Sequence, residues 1–283
     1  MNNFNPIIEV KDDGLTIPEV RTWSIEKFKL VGSYCDIFTN GMKNIWDQLV
    51  YIDLFAGAGY AKITESKKIY RSSSLIAMSL PVPFSKYILC ELDIEKFNAL
   101  STRVKRDFKH LNVEVLNCDS NSAVDEIIKC IPKYSKGNTL LPFCFVDPYS
   151  LNLNFSTIAN LGKNKMDFLI LQALHMDANR NFDKYFREEN QRITEYLGMT
   201  NWREEFEKNG SINKKNFVKF LAEQYQSNMM KLGYLENKVM HQIRSSEKNL
   251  PLYYLSFYSK NKRGIDFFKK IEKYCNPQLK MDL

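Results

Sequence analysis

Five short apolar segments alternate with stretches of helical period between residues 49 and 172, and this alternation limits the folds open to the chain. The strand-like segments span residues 49–55, 87–91, 113–117, 141–147 and 167–172. Helices are predicted between them, over residues 74–80, 94–108, 122–131 and 155–161. Strands joined by helices of this length form right-handed crossovers, so the sequence predicts an α/β domain built around a parallel sheet.

The segment before this alternation predicts an arm and one helix. Residues 1–21 mix Pro, Asp and Gly with isolated hydrophobic residues and show no sustained period, which is typical of an irregular N-terminal arm. Ser24 then begins an amphipathic pattern with apolar residues three and four apart, which ends near Asn40-Gly41. This pattern predicts a helix.

The segment after the alternation differs in character. Residues 177–236 are charged, rich in aromatic residues and helical in period, so we expect a helical insertion that is a candidate substrate or partner lobe. Residues 238–243 and 252–258 indicate two antiparallel strands, and a last helix is predicted at 265–274. A Rossmann-like domain is therefore expected from residues 22–176 and 237–283.

Composition and charge bear on whether the chain binds a membrane or a polyanion. The chain has 283 residues, 44% of them hydrophobic, yet no apolar run approaches the roughly twenty residues that a membrane-spanning helix needs. We therefore expect a cytoplasmic protein without a membrane partner. The net charge of +7 favours a polyanionic partner such as nucleic acid, and a lysine-rich solvated surface is the alternative.

Cysteine and histidine spacing does not point to a metal site. The six cysteines lie apart from one another without a CxxC pair, several of them inside apolar runs, so we interpret them as buried thiols. The three histidines are also far apart in the sequence. We predict no metal.

The most informative motif is the segment from Asp53 to Gly59, which reads DLFAGAG. A buried strand runs directly into small residues, so the backbone can turn tightly and a ligand can approach it closely. A Cβ atom at Gly57 or Gly59 would obstruct that approach. The candidate cofactor-binding residues here are Asp53, Phe55, Ala56, Gly57 and Gly59.

This loop lacks the features of two common nucleotide-binding loops. A dinucleotide-binding loop has the pattern GxGxxG, and no third glycine follows Gly59, which disfavours a nucleotide-dependent oxidoreductase. The GK[ST] pattern of a P-loop is also absent. Asp53 would repel a phosphate but suits the cationic amino end of S-adenosylmethionine, directly or through water. The alternative is a purely structural strand-to-helix turn.

Acidic residues follow the second and third predicted strands. Glu91, with Leu92 beside it, lies where a carboxylate commonly holds a ribose diol, whereas Asp93 can cap the next helix. Asp119, followed by Ser120, is placed to accept a hydrogen bond from an adenine amino group. Capping of the helix that begins near Ser122 is an equally good interpretation of this pair.

The fourth strand ends in Asp147-Pro148-Tyr149. A carboxylate that ends so apolar a strand needs a partner, and in an open α/β sheet this position faces the ligand crevice. Asp147 and the Pro148 carbonyl could accept both hydrogen atoms of an exocyclic amine, and Tyr149 could stack on a flat base. These three residues are the catalytic candidates, and an ordinary Asp-Pro turn is the alternative.

The four strand ends DLFAGAG, CELD, NCDS and VDPY resemble, in this order, the motifs of class I S-adenosylmethionine-dependent methyltransferases. Over residues 22–272 the chain is also similar to the bacterial three-Cys-motif partner proteins. The residues that carry this similarity are Trp23-Ser24, 51–59, 73–77, 91–93, 147–149, Asn179-Arg180 and 251–255 with Gly264. The resemblance implies a mostly parallel seven-stranded sheet with an antiparallel C-terminal hairpin, S-adenosylmethionine as the cofactor, and a partner protein that carries a three-cysteine motif.

Two functions are consistent with these features. The first is methyl transfer to an amino group of a nucleic-acid base, with Asn179 and Arg180 as candidate substrate-binding residues. Arg180 would contact a phosphate or pair with Glu188 or Glu189. The second is a methyltransferase-like binding module that works with a partner protein in a phage-defence or mobile-element system. The single Pro in Asp147-Pro148-Tyr149, where adenine methyltransferases carry DPPY or NPPY, favours the second.

Overall fold

A computed structural model of the chain describes residues 4–208, 212–236, 240–244 and 249–275. The strands are β1 (Glu9–Val10), β2 (Glu19–Val20), β3 (Gln48–Asp53), β4 (Tyr60–Ile63), β5 (Ile69–Arg71), β6 (Lys86–Glu91), β7 (Val113–Asn117), β8 (Leu140–Val146), β9 (Asp167–Gln172), β10 (Met240–Arg244) and β11 (Pro251–Tyr258). The helices are α1 (Ser24–Met42), α2 (Ser73–Met78), α3 (Ile94–Asp107), α4 (Val124–Cys130), α5 (Phe155–Leu161), α6 (Phe182–Tyr185), α7 (Arg192–Leu197), α8 (Trp202–Lys208), α9 (Lys214–Lys231) and α10 (Lys262–Cys275).

Seven of these strands form one sheet in the order β10-β11-β9-β8-β3-β6-β7. The pairs from β9 through β8, β3 and β6 to β7 are all parallel. The strand β11 is antiparallel to both β9 and β10. The predicted fold is therefore confirmed: an α/β fold with a mostly parallel seven-stranded sheet and an antiparallel C-terminal hairpin.

Apolar residues explain why this sheet lies inside the molecule. All but the first residue of β3 are buried, as is the whole of β9, which is typical of strands covered on both faces. On one face, the ring of Tyr34 from α1 lies 4.9 Å from Phe143 in β8 and 5.0 Å from Phe257 in β11, measured between ring centroids. Aromatic contacts of this kind fix α1 across the centre of the sheet.

The N-terminal arm is more ordered than its sequence indicated. Its strands β1 and β2 join β4 and β5 in a second, four-stranded sheet of order β1-β5-β4-β2. The expectation of an irregular arm over residues 1–21 is wrong for these two segments. Each contributes only two residues, so neither could show a period in the sequence.

The predicted helical insertion contains α6 to α9, preceded by a turn of π-helix at Leu174–Ala178. Its aromatic side chains pack into the same continuous core as the sheet, as helical spacing had favoured. Trp202 and Phe217, for example, are fully buried. Residues 237–239, at the predicted start of the sixth strand, and most of the turn before β11 lie outside the described residues. No helix in the described ranges is long and apolar enough to cross a membrane.

A buried ion pair fixes the arm to the main domain. Arg103 of α3 is fully buried, and its guanidinium donates two hydrogen bonds of 2.6 and 2.9 Å to the carboxylate of Asp13. The same guanidinium donates to the carbonyl oxygens of Thr16 (3.0 Å) and Ala58 (2.7 Å). One side chain therefore connects α3, the arm and the loop after β3.

We expect Asp13→Asn to lower the free energy of unfolding by about 3 kcal/mol, because it leaves the buried Arg103 cation without its carboxylate. The hydrogen bonds from Arg103 lower the pKa of Asp13 to about 2. A carboxyl with a depressed folded pKa stabilises the protein above its unfolded pKa, so this contribution is lost as the pH falls from about 4 toward 2. Urea unfolding at pH 6 and at pH 2.5 measures both effects.

The neighbouring Asp12→Asn is the matched control, since Asp12 is exposed and accepts a hydrogen bond from the amide of Gly14. An Asp13→Asn protein as stable as this control at pH 6 would contradict the role of the ion pair.

Candidate active site

The candidate site lies at the edge of the sheet where the parallel strands end. The strand β3 comes first along the chain in the large sheet, and it pairs with β6 on one side and β8 on the other. Its last residue, Asp53, is opposite Leu89 and Phe145. The chain continues from β3 to β6 and β7, then returns to the other side of β3 at β8. Ligands of open α/β sheets bind at such a reversal of strand order, at the carboxyl ends of the strands.

The loop after β3 turns through two glycines in the left-handed region. Gly57 has a φ of +66°, and a Cβ atom built on it would meet nothing within 4 Å. Gly59 has a φ of +87°, but its Cβ would lie 2.9 Å from Leu75 and 3.1 Å from Leu100. The two glycines therefore differ: Gly57 borders open space, and Gly59 allows the loop to pack against α2 and α3.

Four hydrogen bonds hold the carbonyl groups of this loop in place. Ser120 donates to Leu54 (2.6 Å), Ser74 to Ala56 (3.1 Å), Arg103 to Ala58 (2.7 Å) and the amide of Ser72 to Gly59 (2.8 Å). The buried Ala56 also donates its amide hydrogen to the carbonyl of Cys90 in β6 (2.9 Å). These bonds within the protein fix the loop against β6, α2 and α3.

Asp53 lies beneath this loop and not on its surface. Its side chain is fully buried and accepts hydrogen bonds from the amide of Phe55 (3.1 Å), Tyr51 (3.2 Å) and Ser73 (3.0 Å). Burial raises its pKa to about 7. The expectation that Asp53 faces a ligand is therefore not met. Asp53 positions the half-buried Phe55 and the start of α2.

Glu91 at the end of β6 points toward the loop. One carboxylate oxygen accepts from the amide of Gly57 and the other from the amide of Asp93, each at 2.9 Å. Asp93 caps α3, as predicted, by accepting from the amides of Glu95 and Lys96. The bond to the Gly57 amide places Glu91 beside the open space there, and Leu92, the next residue, is 67% exposed.

The end of β7 contributes one exposed and one buried side chain. Asp119 is exposed, and one of its oxygens accepts from the amide of Asn121 (3.0 Å). Ser120 is buried and acts through its bond to the loop. The helix α4 begins only at Val124 and has no side-chain cap, so neither residue is its N-cap.

Across β3, the end of β8 presents Asp147, Pro148 and Tyr149. One oxygen of Asp147, Oδ2, bonds the ammonium group of Lys27 from α1, and both side chains are largely buried. Within the described part of the chain, Oδ1 accepts no hydrogen bond. Pro148 is buried, whereas Tyr149 is 83% exposed. The motif therefore offers a carboxylate oxygen and a free aromatic ring side by side.

Asp177 holds the loop that follows this motif. It is buried, and its carboxylate accepts from the amide of Leu151 (2.9 Å), from Asn181 (2.6 Å) and from the hydroxyl of Tyr185 (2.8 Å). The predicted substrate residues Asn179 and Arg180 follow directly. Asn179 is half-buried and donates its amide hydrogen to the carbonyl of Leu174, and Arg180 is exposed.

Sequence reasoning missed Lys27, Asp177 and the position of Tyr253. Burial raises the pKa of Tyr253, and the charges of Asp147 and Tyr149 act in the same direction. The ring of Tyr253 lies 4.8 Å from that of Trp23, between centroids. Both aromatic residues belong to the segments that carry the family resemblance. The resemblance therefore indicated Trp23 and Tyr253, whereas no sequence pattern indicated Lys27.

Metal-binding groups do not cluster in the described residues: no three His, Cys, Asp or Glu side chains there are arranged to hold an ion. Five cysteines are free thiols: Cys35, Cys90, Cys118, Cys130 and Cys144.

No family model matches the chain, and neither does any curated protein. Similar solved structures include protein LPL1258 of Legionella pneumophila, with 12% identity and a TM-score of 0.49 over 88% of this chain and 92% of that one. Another is Trm1 of Pyrococcus horikoshii with S-adenosyl-L-methionine, with 10% identity and a TM-score of 0.47 over 92% and 63%. A third is the putative methyltransferase yhhF of Escherichia coli, with 19% identity and 0.33 over 50% and 67%. Likenesses at these values assign no residue or activity to this chain.

The Lys27–Asp147 pair gives a direct test of the geometry. We expect Lys27→Met to lower the free energy of unfolding by about 3 kcal/mol, because a largely buried carboxylate loses its cation. The double variant Lys27→Met/Asp147→Asn should recover part of that loss, since it removes both charges. Urea unfolding of the four proteins in the cycle measures the coupling.

Lys67→Met is the control, because the ion pair of Lys67 with Glu19 is well exposed. It should change the free energy of unfolding by no more than about 0.5 kcal/mol. Strictly additive effects in the cycle would show that the two side chains do not interact.

Proposed function

We propose that the chain is an S-adenosylmethionine-dependent methyltransferase that acts on an exocyclic amino group of a nucleic-acid base. One observation carries the proposal: the open space at the left-handed Gly57, bordered by Glu91, lies across β3 from the free oxygen of Asp147. A cofactor site and an acceptor site thus meet at one reversal of strand order.

The residues around Gly57 suit the cofactor. Each oxygen of Glu91 accepts one backbone hydrogen bond and keeps a lone pair for a ribose hydroxyl. The exposed Asp119 keeps one oxygen for the adenine amino group, and the exposed Leu92 offers an apolar edge for the ring. When bound, S-adenosylmethionine supplies an electrophilic methyl group on a positively charged sulfur.

The residues at the end of β8 suit an amino acceptor. Lys27 holds Oδ2 of Asp147 and so fixes the carboxylate, while Oδ1 is left to accept one hydrogen of the amine. The Pro148 carbonyl serves as the second acceptor. Holding both N–H bonds directs the nitrogen lone pair away from the base ring, so that proximity and orientation supply most of the rate and no strong general base is needed.

Two features support a base as the acceptor. Tyr149 presents an 83% exposed ring directly after Asp147 and Pro148, and enzymes that modify bases stack them on such rings outside the duplex. The chain carries a net charge of +7, and Arg180 is exposed near the same strand end.

The cofactor site is tested by adding a methyl group at Gly57. Gly57→Ala should weaken binding of S-adenosylmethionine and S-adenosylhomocysteine at least tenfold in calorimetric titrations, because the new Cβ enters the open space. The backbone strain should cost about 1 kcal/mol of stability.

Gly233→Ala is the matched control, since Gly233 also has a positive φ of +85° and open space around its Cβ, but lies after α9. It should show the same strain and unchanged cofactor binding. Equal affinities of the two variants for the cofactor would refute the proposed site.

The acceptor site is tested by Asp147→Asn. This variant should bind the cofactor normally and lose at least a hundredfold in kcat for transfer of radiolabelled methyl groups to nucleic acid, because an acceptor oxygen becomes an amide donor or is misdirected. A variant that labels nucleic acid as fast as the wild type would contradict the role of Asp147. A wild-type protein that binds the cofactor but labels no nucleic acid would favour the partner-dependent binding module instead.

A further inference from the structure

The edge of the sheet that carries Asp147 continues beyond it along β9 and the C-terminal hairpin. The strand β9 is parallel to β8, so it ends at the same edge. Because β11 is antiparallel to β9, with Tyr254 opposite Gln172, β11 begins there. The end of β10 lies beside the start of β11, with Arg244 opposite Pro251.

Side chains from these three strand ends contact one another. Nε2 of His175 lies 3.3 Å from the hydroxyl of Tyr254, and the two ring centroids are 5.5 Å apart. Gln242 donates a hydrogen bond of 2.9 Å to the same hydroxyl. Burial, with a smaller effect of the Arg244 cation, lowers the pKa of His175. The half-buried His175 ring therefore lies against Tyr254, within electrostatic range of Arg244.

On the other face of β11, a second tyrosine lies near Asp147. Tyr253 precedes Tyr254 in β11, and it lies within electrostatic range of Asp147, Tyr149 and the cation of Arg180. We define the hairpin surface as Tyr149, His175, Arg180, Tyr254 and Arg244, which lie in or next to the ends of β8, β9 and β10 and the start of β11.

Two members of the hairpin surface have unused binding capacity. The ring of Tyr149 is 83% exposed. Arg180 is exposed and forms no ion pair with any residue in the described ranges, including Glu188 and Glu189. Arg244 is also exposed, but its guanidinium donates hydrogen bonds to Gln242 and Asn249. An exposed aromatic ring together with an unpaired cation suits a single-stranded nucleic acid, which binds through base stacking and phosphate contacts.

We propose that the hairpin surface binds a single-stranded nucleic acid whose target base enters the site at Asp147. This inference rests on the proposed function and adds to it the conformation of the substrate and the path of its flanking nucleotides. Bases next to the target stack on Tyr149 and on the His175–Tyr254 pair, and Arg180 contacts a phosphate, while Arg244 adds positive charge. A duplex presents no unstacked bases to these rings, so it binds less tightly.

Fluorescence anisotropy with labelled 12-nucleotide probes tests the proposal. The probes are single-stranded RNA, single-stranded DNA and the matching DNA duplex, each titrated with full-length protein saturated with S-adenosylhomocysteine. We expect at least one single strand to bind ten times more tightly than the duplex. Arg180→Ala should weaken that binding about tenfold and reduce the slope of log K against log salt by about 1. Tyr149→Ala should weaken it by a similar factor.

Arg263→Ala is the matched control. Arg263 is an exposed arginine in the first turn of α10, after the end of β11 and therefore at the opposite edge of the sheet. It should leave the affinity for every probe unchanged. Equal affinities of Arg180→Ala and Arg263→Ala, or equal affinities for single strand and duplex, would overturn the proposal.

Failure of this inference can be separated from failure of the proposed function, because the anisotropy measurement requires no methyl transfer. Tight, Arg180-dependent binding without methylation would support the hairpin surface and contradict the enzyme activity. Methylation of nucleic acid by a protein whose probe affinity does not depend on Arg180 would support the enzyme activity and contradict the role of the hairpin surface.

Discussion

The structure depends on one constraint at the end of β3: the backbone must reverse through a left-handed glycine while its carbonyl groups keep hydrogen-bond partners. Side chains of Ser74, Arg103 and Ser120 supply three of these partners, and each comes from a different part of the chain. These bonds fix the loop in a shape that leaves open space beside Gly57. A loop fixed in advance loses little conformational entropy when a ligand binds.

At the end of β8, the Asp147 carboxylate is also held in place by groups within the protein. A carboxylate at the end of an apolar strand is costly to bury, and Lys27 compensates one of its oxygens while the other stays free. The same ammonium lies 5.5 Å from the ring centroid of Trp23 and 5.3 Å from that of Phe28, so α1 contributes charge and aromatic surface to the site. Asp177 then fixes the loop that carries Tyr149. The acceptor side is thus positioned by groups that need not touch the substrate.

The sequence predicted the strand ends well, because small, acidic and proline residues interrupt apolar runs at those points. The predicted strands at residues 113–117 and 167–172 and the predicted helix at 155–161 match the structure residue for residue. Since carboxyl ends of parallel strands meet at one edge, the grouping of Gly57, Glu91 and Asp147 followed from the strand order alone.

Other features depend on contacts between distant segments, which no local pattern records. Lys27 and Asp147 are 120 residues apart, and Asp13 and Arg103 are 90 apart. The sequence also could not show which side of the loop each residue faces. It therefore assigned Asp53 and Gly59 to a ligand, whereas the structure places Asp53 beneath the loop and Gly59 against Leu75 and Leu100.

A crystal structure of the protein with S-adenosylhomocysteine tests the central claim most directly. We expect density for the ligand over Gly57, with its ribose hydroxyls on Glu91, its sulfur facing Asp147, and the backbone from Leu54 to Gly59 unmoved. Density at any other place, or a loop that must rearrange before the ligand fits, would contradict it.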